Sequence, residues 1–494
     1  MVEALMQGLA GLIQPSVLLY MTVAVVLGLI FGLIPGLSGM TFLALMIPFT
    51  FGMEPLTAIT FLLAGHAVVH TAGGITAILL NVPGTASNSP TLIDGFPMAR
   101  QGKAGRAIGI AVVASGVGGV FGAIVLIVSL PILRPIVMAF GSPELFCLCI
   151  LGITFIAALG TGSMGRGLVA GALGIILSLV GFDPVTASSR LAFGSLYLNA
   201  GIRIIPLVLG LFAIPQVVDL MVTGKSIARN GAMTTTGADL WEGIKDVFRS
   251  WSLTLRASTL GALIGAVPGV GAETAIWIAY GHAKQTSKHP ERFGHGAEEG
   301  IIGPEAANNS KEGGSLIPTL AFGIPGSSGM AVLMGGFLVV GLDPGPLFIR
   351  EHLDICYAMI GTLAISNIVG AVLCLAAAKH LARITFIPSR ALAPLILVVI
   401  VIGAYLSKGN WLDVVATFAI GALGYGMARF GYPRPPLILG FILGGLAERY
   451  LHLSVKTVGT FFFLRPISVI IVILTILGLL YEAARSMRRT KERP

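Results

Sequence analysis

Apolar stretches of nearly uniform length recur along this chain, separated by short polar segments. They lie near 16–34, 107–130, 143–160, 166–182, 204–222, 353–377, 389–406, 411–428, 434–447 and 460–481. Each approaches the roughly 20 residues that an α-helix needs to cross a bilayer. Two regions, 35–90 and 259–340, interrupt this rhythm with glycine, proline and polar residues inside apolar surroundings. The pattern predicts about 10 to 12 membrane elements, some of them re-entrant, because irregular backbone at membrane depth survives only where protein or a wet cavity surrounds it.

The interruptions repeat. Residues 28–39 read GLIFGLIPGLSG and residues 261–272 read GALIGAVPGVGA, so Gly28, Gly32, Pro35 and Gly36 fall on Gly261, Gly265, Pro268 and Gly269 at an offset of 233. A second pair follows in the same order. Gly73-Gly74 leads into NVPGTAS at 81–87, and Gly313-Gly314 leads into FGIPGSS at 322–328, with the offset grown to 242 by extra basic loop residues in the second half. Paired Gly/Pro breaks at corresponding positions of two halves point to the binding site of a secondary transporter.

Charge settles how the halves face. In the first half the turn FGMEPLT (51–57) has no basic residue and Arg100, Lys103 and Arg106 come afterwards; in the second, Lys284, Lys288 and Arg292 lie between the breaks and VGLDPGP (340–346) follows without one. With basic loops cytoplasmic, corresponding parts face opposite sides, which is inverted topology suited to alternating access. The organisation expected is a first transmembrane repeat at 1–224, a cytoplasmic linker at 225–250, an inverted second repeat at 251–484 and a basic cytoplasmic tail at 485–494. Composition agrees: 55% hydrophobic and 11% charged residues exclude a soluble domain. The net charge of +9 comes with basic residues in that linker, Lys225, Arg229, Lys245 and Arg249, and in the tail, Arg485, Arg488, Arg489, Lys491 and Arg493, so it reads as topology within a lipid bilayer, and no nucleic-acid partner is expected. The four cysteines, Cys147, Cys149, Cys356 and Cys374, lie in or beside apolar segments and read as packing residues. Glu3 and the lack of a basic start argue against a cleaved signal peptide.

A Pro-Gly break ends a helix and frees polar backbone groups. Helix N-termini that follow present N–H donors and partial positive charge, suited to a carboxylate. Hydroxyl, amide and glycine positions cluster there, and the candidates for binding substrate are Ser38, Thr41, Asn81, Gly84, Thr85, Ser87, Asn88, Thr274, Gly326, Ser327 and Ser328. Unwound carbonyls and side-chain oxygens could coordinate Na⁺, and the candidates for cation coupling are Gly36, Asn88, Gly269, Glu273, Glu305 and Asn308, with Asn309 beside them. Glu305 has a second reading, as an N-terminal helix acid at the membrane surface beside Pro304. His66 and His70 share a helix face, but no third ligand is evident, so no metal site is expected and a hydrogen-bonding or proton-sensitive role is favoured. No nucleophile elbow, P-loop or paired acids stand out, which gives no support for ATP hydrolysis or other enzyme activity, and no cofactor beyond a bound Na⁺ is expected. A channel or uniporter for organic anions, and a membrane-embedded enzyme using His66, His70 or Glu273, are the alternatives.

Several long motifs resemble one family. GLIPGLSG, GGITAILLNVPGT and DGFPMARQGKAGRAIG within 28–109, GAVPGVGAETA at 265–275, PEAANNSKEGGSLIPTLAFGIPGS at 304–327 and FGYPRPPLILGFILG at 430–444 are similar to the large membrane subunit, TctA type, of the tripartite tricarboxylate transporters. The resemblance implies an all-α polytopic permease of the bacterial inner membrane with two inverted repeats, re-entrant hairpins and discontinuous helices, moving in an elevator-like manner. It implies a small four-helix membrane subunit and a periplasmic solute-binding protein as partners, and ion-driven import of carboxylates such as citrate or other di- or tricarboxylates. On that analogy 35–41 and 268–274 are hairpin tips, and 83–88 and 325–328 are breaks in discontinuous helices. One departure is local: His70-Thr71-Ala72-Gly73-Gly74 stands where a Tyr-Gly-Gly run is expected, which puts citrate specificity in question.

Overall fold

The computed structural model describes residues 1–158, 164–183, 188–223, 237–268, 272–384, 389–406 and 408–477. Those residues form an all-α, polytopic membrane protein. In the first half the helices are α1 (Val2–Leu12), α2 (Pro15–Leu33), α3 (Gly39–Met46), α4 (Pro55–Leu80), α5 (Ser89–Met98), α6 (Ala104–Met138), α7 (Ser142–Ala158) and α8 (Met164–Ser178). A two-residue antiparallel pair, β1 (Gly181–Phe182) with β2 (Ser189–Arg190), leads to α9 (Leu196–Asn199), α10 (Ile204–Val208) and α11 (Ile214–Thr223). The second half holds α12 (Gly237–Arg249), α13 (Trp251–Gly265), α14 (Ala272–Thr286), α15 (Glu299–Phe322), α16 (Ser328–Val339) and α17 (Pro346–Glu351). It closes with α18 (Leu353–Ile384), α19 (Ser389–Leu406), α20 (Trp411–Arg429) and α21 (Pro435–Val458), followed by an apolar helix at Pro466–Leu477.

Among the described residues, seven helical stretches are long and apolar enough to cross a membrane. The span expected at 143–160 lies in α7 as far as the described residues reach, that expected at 166–182 ends as helix at Ser178 in α8, and the stretch expected at 434–447 continues as helix to Val458. Half of the linker expected at 225–250 is α12, which is anchored and not free: Gly243 packs against the Arg106 carbonyl of α6, and Arg106 Nε donates to Asp246 at 2.5 Å. The rest of the linker and the tail at 485–494 lie outside the described residues.

The centre is built on two long, buried helices, α4 and α15. The spanning window of α4 is wholly buried, as expected for a helix that is apolar all round. Glycines let neighbours approach to backbone contact. On α2, Gly28 and Gly32 sit against the carbonyls of Gly65 and Val69 of α4; on α13, Gly261 and Gly265 sit against those of Ala307 and Lys311 of α15. The partners are 242 apart, the glycines 233 apart, so the offsets read from sequence are also offsets in packing. Gly84 packs on Gly73 and the Gly32 carbonyl, and Gly326 on Ser315 and the Gly265 carbonyl. This corrects one pairing: the structural counterpart of Gly73 is Ser315, not Gly313. All four cysteines are buried, in keeping with packing roles.

Candidate functional site

Three of the four breaks, the first, second and fourth, lead into new helical turns at one small cavity. Helix α2 stops before Pro35, the chain turns at Gly36 with φ of 90°, and Ser38 caps α3, its Oγ accepting the Thr41 N–H at 3.2 Å. Helix α15 stops at Gly323, with φ of 66°, and Ser327 caps α16 by accepting the Met330 N–H at 3.2 Å. Asn81 ends α4 in the left-handed region, and Thr85 opens a short turn into α5. These caps satisfy N–H groups that a helix start leaves free.

The cavity between them has a volume of about 50 Å³. Ser38 and Gly39 of the first break and Ser327, Ser328 and Gly329 of the fourth form one side. Thr85, Ala86 and Ser87 form another, and His66 and His70 of α4 face Lys311 and Glu312 of α15. Two larger cavities, about 640 and 440 Å³, are lined almost entirely by apolar side chains such as Ile136, Phe322 and Met427. The polar chemistry therefore lies in the small one.

Glu312 is its centre. Its carboxylate lies 3.3 Å from His66 Nε2 and 3.3 Å from His70 Nε2, and Lys311 Nζ is 3.6 Å away. All four side chains are buried, and a charge so placed persists only with partners. Sequence reasoning found no third group for the histidine pair; Glu312 supplies it. On the other ring nitrogen, His70 Nδ1 is 3.1 Å from Ser87 Oγ and 3.4 Å from Thr85 Oγ1. Thr85 in turn donates to Asn88 Oδ1 at 2.6 Å.

Asn88 links this cavity to a second buried cluster. Its amide donates to the His70 carbonyl at 3.0 Å and to Glu305 Oε1 at 3.1 Å. Thr91 donates to Glu305 Oε1 at 2.6 Å and Ser115 to Oε2 at 2.7 Å. Glu305 is fully buried within α15, so the reading of it as a surface helix acid is overturned: donors from α5, α6 and the turn before α5 replace solvent. Asn308 is buried one turn on, with neither amide atom hydrogen-bonded. Asn309 donates to Thr71 at 2.7 Å and Asn367 at 2.6 Å.

Of the other candidates, Ser38, Thr85, Ser87, Ser327 and Ser328 line the cavity, whereas Thr41 is buried behind Ser38, 3.0 Å from its hydroxyl. Gly84 and Gly326 serve backbone packing, and Gly36 serves the turn. Asn81 and Thr274 are exposed and stand outside the cavity. Gly269 and the Glu273 side chain lie outside the described residues. Sequence reasoning did not single out Lys311 and Glu312, although a signal existed: at the offset of 242 they fall on Val69 and His70.

Comparison with known proteins gives one family. The family model described as the tripartite tricarboxylate transporter TctA family matches residues 18–439. An uncharacterized 52.8 kDa protein of Agrobacterium vitis, from the TAR-I ttuC' 3' region, is 34% identical over 452 residues, covering 92% of this chain and 89% of the relative. A second uncharacterized protein of that organism, from the TAR-II ttuC' 3' region, is 39% identical over 192 residues, covering 39% of this chain and 79% of the relative. No solved structure matches.

Proposed function

We propose, from the premise that this chain belongs to the tripartite tricarboxylate transporter TctA family, that it is the substrate-carrying permease of a gradient-driven importer of organic carboxylates. Its substrates are citrate or other di- and tricarboxylates, and Na⁺ or H⁺ drives their entry. The family is the large subunit of a three-part transporter, and the partners proposed are a small four-helix membrane subunit and a periplasmic solute-binding protein, with the inner membrane as location.

The observation that carries this reading is the cavity itself: both halves contribute a capped helix N-terminus, at Ser38 and Ser327, and Lys311 adds a buried positive charge beside them. Helix N-termini and an ammonium group together bind an anion without surrendering it to bulk water. At about 50 Å³ the cavity holds roughly one or two waters, so a tricarboxylate enters only when the walls separate. Two inverted repeats moving against each other would do this, and the matched glycine packing of α2 on α4 and of α13 on α15 supports a repeat built twice. Glu305, with Asn88 and Asn308 near it, is the proposed place for the coupling cation, since buried ionisable groups at membrane depth mark ion pathways. The alternatives, an uncoupled channel and a membrane enzyme, are weaker because the matching family model is that of a transporter and the breaks gather round one small cavity rather than along a pore.

The test is uptake of radiolabelled citrate and competing carboxylates into proteoliposomes that hold this chain and its small subunit, with binding protein outside. Uptake that needs an inward Na⁺ or proton gradient and the binding protein is the expected result. Gradient-independent flux would favour a uniporter, and conversion of the label to a new compound would favour an enzyme.

A further inference from the structure

We propose that His66, His70 and Glu312 bind a divalent transition-metal ion, and that a carboxylate group of the substrate completes its coordination. The second half of this statement rests on the carboxylate-importer reading; the first stands on geometry alone.

The ligand atoms are gathered already. One from each residue lies within 4.8 Å of the others, and both histidine Nε2 atoms are 3.3 Å from the Glu312 carboxylate. Ligands at about 2.0–2.1 Å from a tetrahedral zinc stand about 3.3–3.5 Å from one another. His66 Nε2 meets that length at Glu312 Oε2 and His70 Nε2 at Oε1, and the three ligand atoms close to it when the carboxylate turns one oxygen toward both rings.

The same atoms lack other partners. His66 Nδ1 and Nε2, His70 Nε2 and Glu312 Oε2 are buried without a hydrogen bond, a costly condition unless something enters between them. His70 Nδ1 faces the hydroxyls of Ser87 and Thr85, and a proton held there leaves the Nε2 lone pair directed at the centre. Such an outer partner fixes the tautomer of a ligating histidine. The His66 ring lies between two glycines of the breaks, where an added Cβ on Gly39 or Gly329 would stand 2.6 or 2.5 Å from ring atoms. Its position is therefore set by α3 and α16.

Two imidazoles and one carboxylate suit zinc, cobalt or nickel, and are a poor set for Na⁺ or Mg²⁺, which prefer oxygen alone. Three protein ligands leave a fourth position open. The N-termini of α3 and α16 border that opening, and their partial positive charge disfavours a bare cation there but favours an anion. A carboxylate oxygen on the metal satisfies both demands, and Lys311, whose Nζ lies 3.6 Å from Glu312 Oε1, can pair with a further carboxylate group of the substrate.

Co²⁺ is the probe, because its absorption reports tetrahedral coordination. Titrated into the purified, reconstituted transporter, it is expected to bind at one site per chain with intense visible bands, and citrate should alter those bands without restoring the weak spectrum of the free aqueous ion. His66→Ala and Glu312→Gln should each weaken binding by at least about 100-fold, and Ser87→Ala by about 10-fold, in the range that outer partners of metal ligands contribute. The wild-type spectrum decides the matter even if a variant fails to fold. No tetrahedral Co²⁺ in the wild type, or equal binding in all three variants, overturns the site; citrate that merely strips the metal overturns its role as the fourth ligand. Citrate uptake by protein that binds no metal leaves the importer standing without this inference. Tetrahedral Co²⁺ in protein that imports no carboxylate removes the importer and leaves the metal site.

Discussion

His70 of α4 and Glu312 of α15 meet at the centre of the molecule, Nε2 to Oε1 at 3.3 Å, from matching places in the two halves. Gly32 packs on the carbonyl of Val69 and Gly265 on the carbonyl of Lys311. The next residue in each helix, His70 and Glu312, lines the cavity. The contacts that hold α4 against α2 and α15 against α13 therefore also place these two side chains.

Replacing Lys311 by methionine removes the buried ammonium 3.6 Å from Glu312 while keeping much of the volume. A hydrogen bond to a charged group contributes about 1.5–3 kcal/mol, so KM for carboxylate uptake should rise by about 10- to 100-fold. Proteoliposome kinetics check this, with melting temperature as the control for folding. An unchanged KM would remove Lys311 from the substrate's reach.

Asn88 joins the cavity to the Glu305 cluster through two donated hydrogen bonds. Asn88→Ala removes one of the two donors to Glu305 Oε1 and the acceptor of the Thr85 hydroxyl, at about 1–3 kcal/mol for a buried group left unpaired, and should depress uptake strongly while membrane insertion is retained. Ser327→Ala loses the cap of α16, about 1 kcal/mol, and should have the milder effect. Uptake kinetics and membrane-fraction blots of both variants measure the contrast; normal kinetics in both would exclude these residues from the transport path.

Asp94 is a buried clamp of a different kind. Its Oδ1 accepts the N–H groups of Gly294, Gly296 and Ala297 at 2.8, 3.0 and 2.9 Å, and Tyr280 donates to Oδ2 at 3.0 Å. It ties α5 to the basic loop ahead of α15. Asp94→Ala should lower stability by about 3–5 kcal/mol, since several donors lose a charged acceptor together, and limited proteolysis should then cut within 287–297. Resistance equal to wild type would show that the loop is held elsewhere.

Glycine replacements separate packing from propensity. An alanine at Gly265 would bring its Cβ to 2.5 Å from the Lys311 carbonyl oxygen, and such overpacking costs typically about 1–3 kcal/mol. Gly426→Ala, in α20 with nothing within 4 Å, should be neutral or gain up to about 1 kcal/mol. Thermal melts of the two variants in one detergent test the pair. Equal melting temperatures would mean that α13 and α15 can part without cost.

Hydropathy and spacing were enough to determine that the chain is a helical, multi-pass membrane protein, that its breaks come in pairs, and that hydroxyl groups follow them. These are local properties: span length follows from bilayer thickness, and Pro-Gly ends a helix wherever it stands. Tertiary structure alone decided which of those groups meet. Thr41 follows the same break as Ser38, yet only Ser38 lines the cavity, because the rotation of α3 about its axis selects the side chain that points inward, and Asn81, at the end of α4, is exposed. Likewise Glu305 read equally well as a surface acid until α5, α6 and the turn before α5 were seen to enclose it with three donors. Lys311 and Glu312 escaped notice because a charged pair within a polar helical stretch looks solvated in one dimension. Its burial against His66 and His70 depends on α4 and α15 crossing at the positions that their glycine contacts fix.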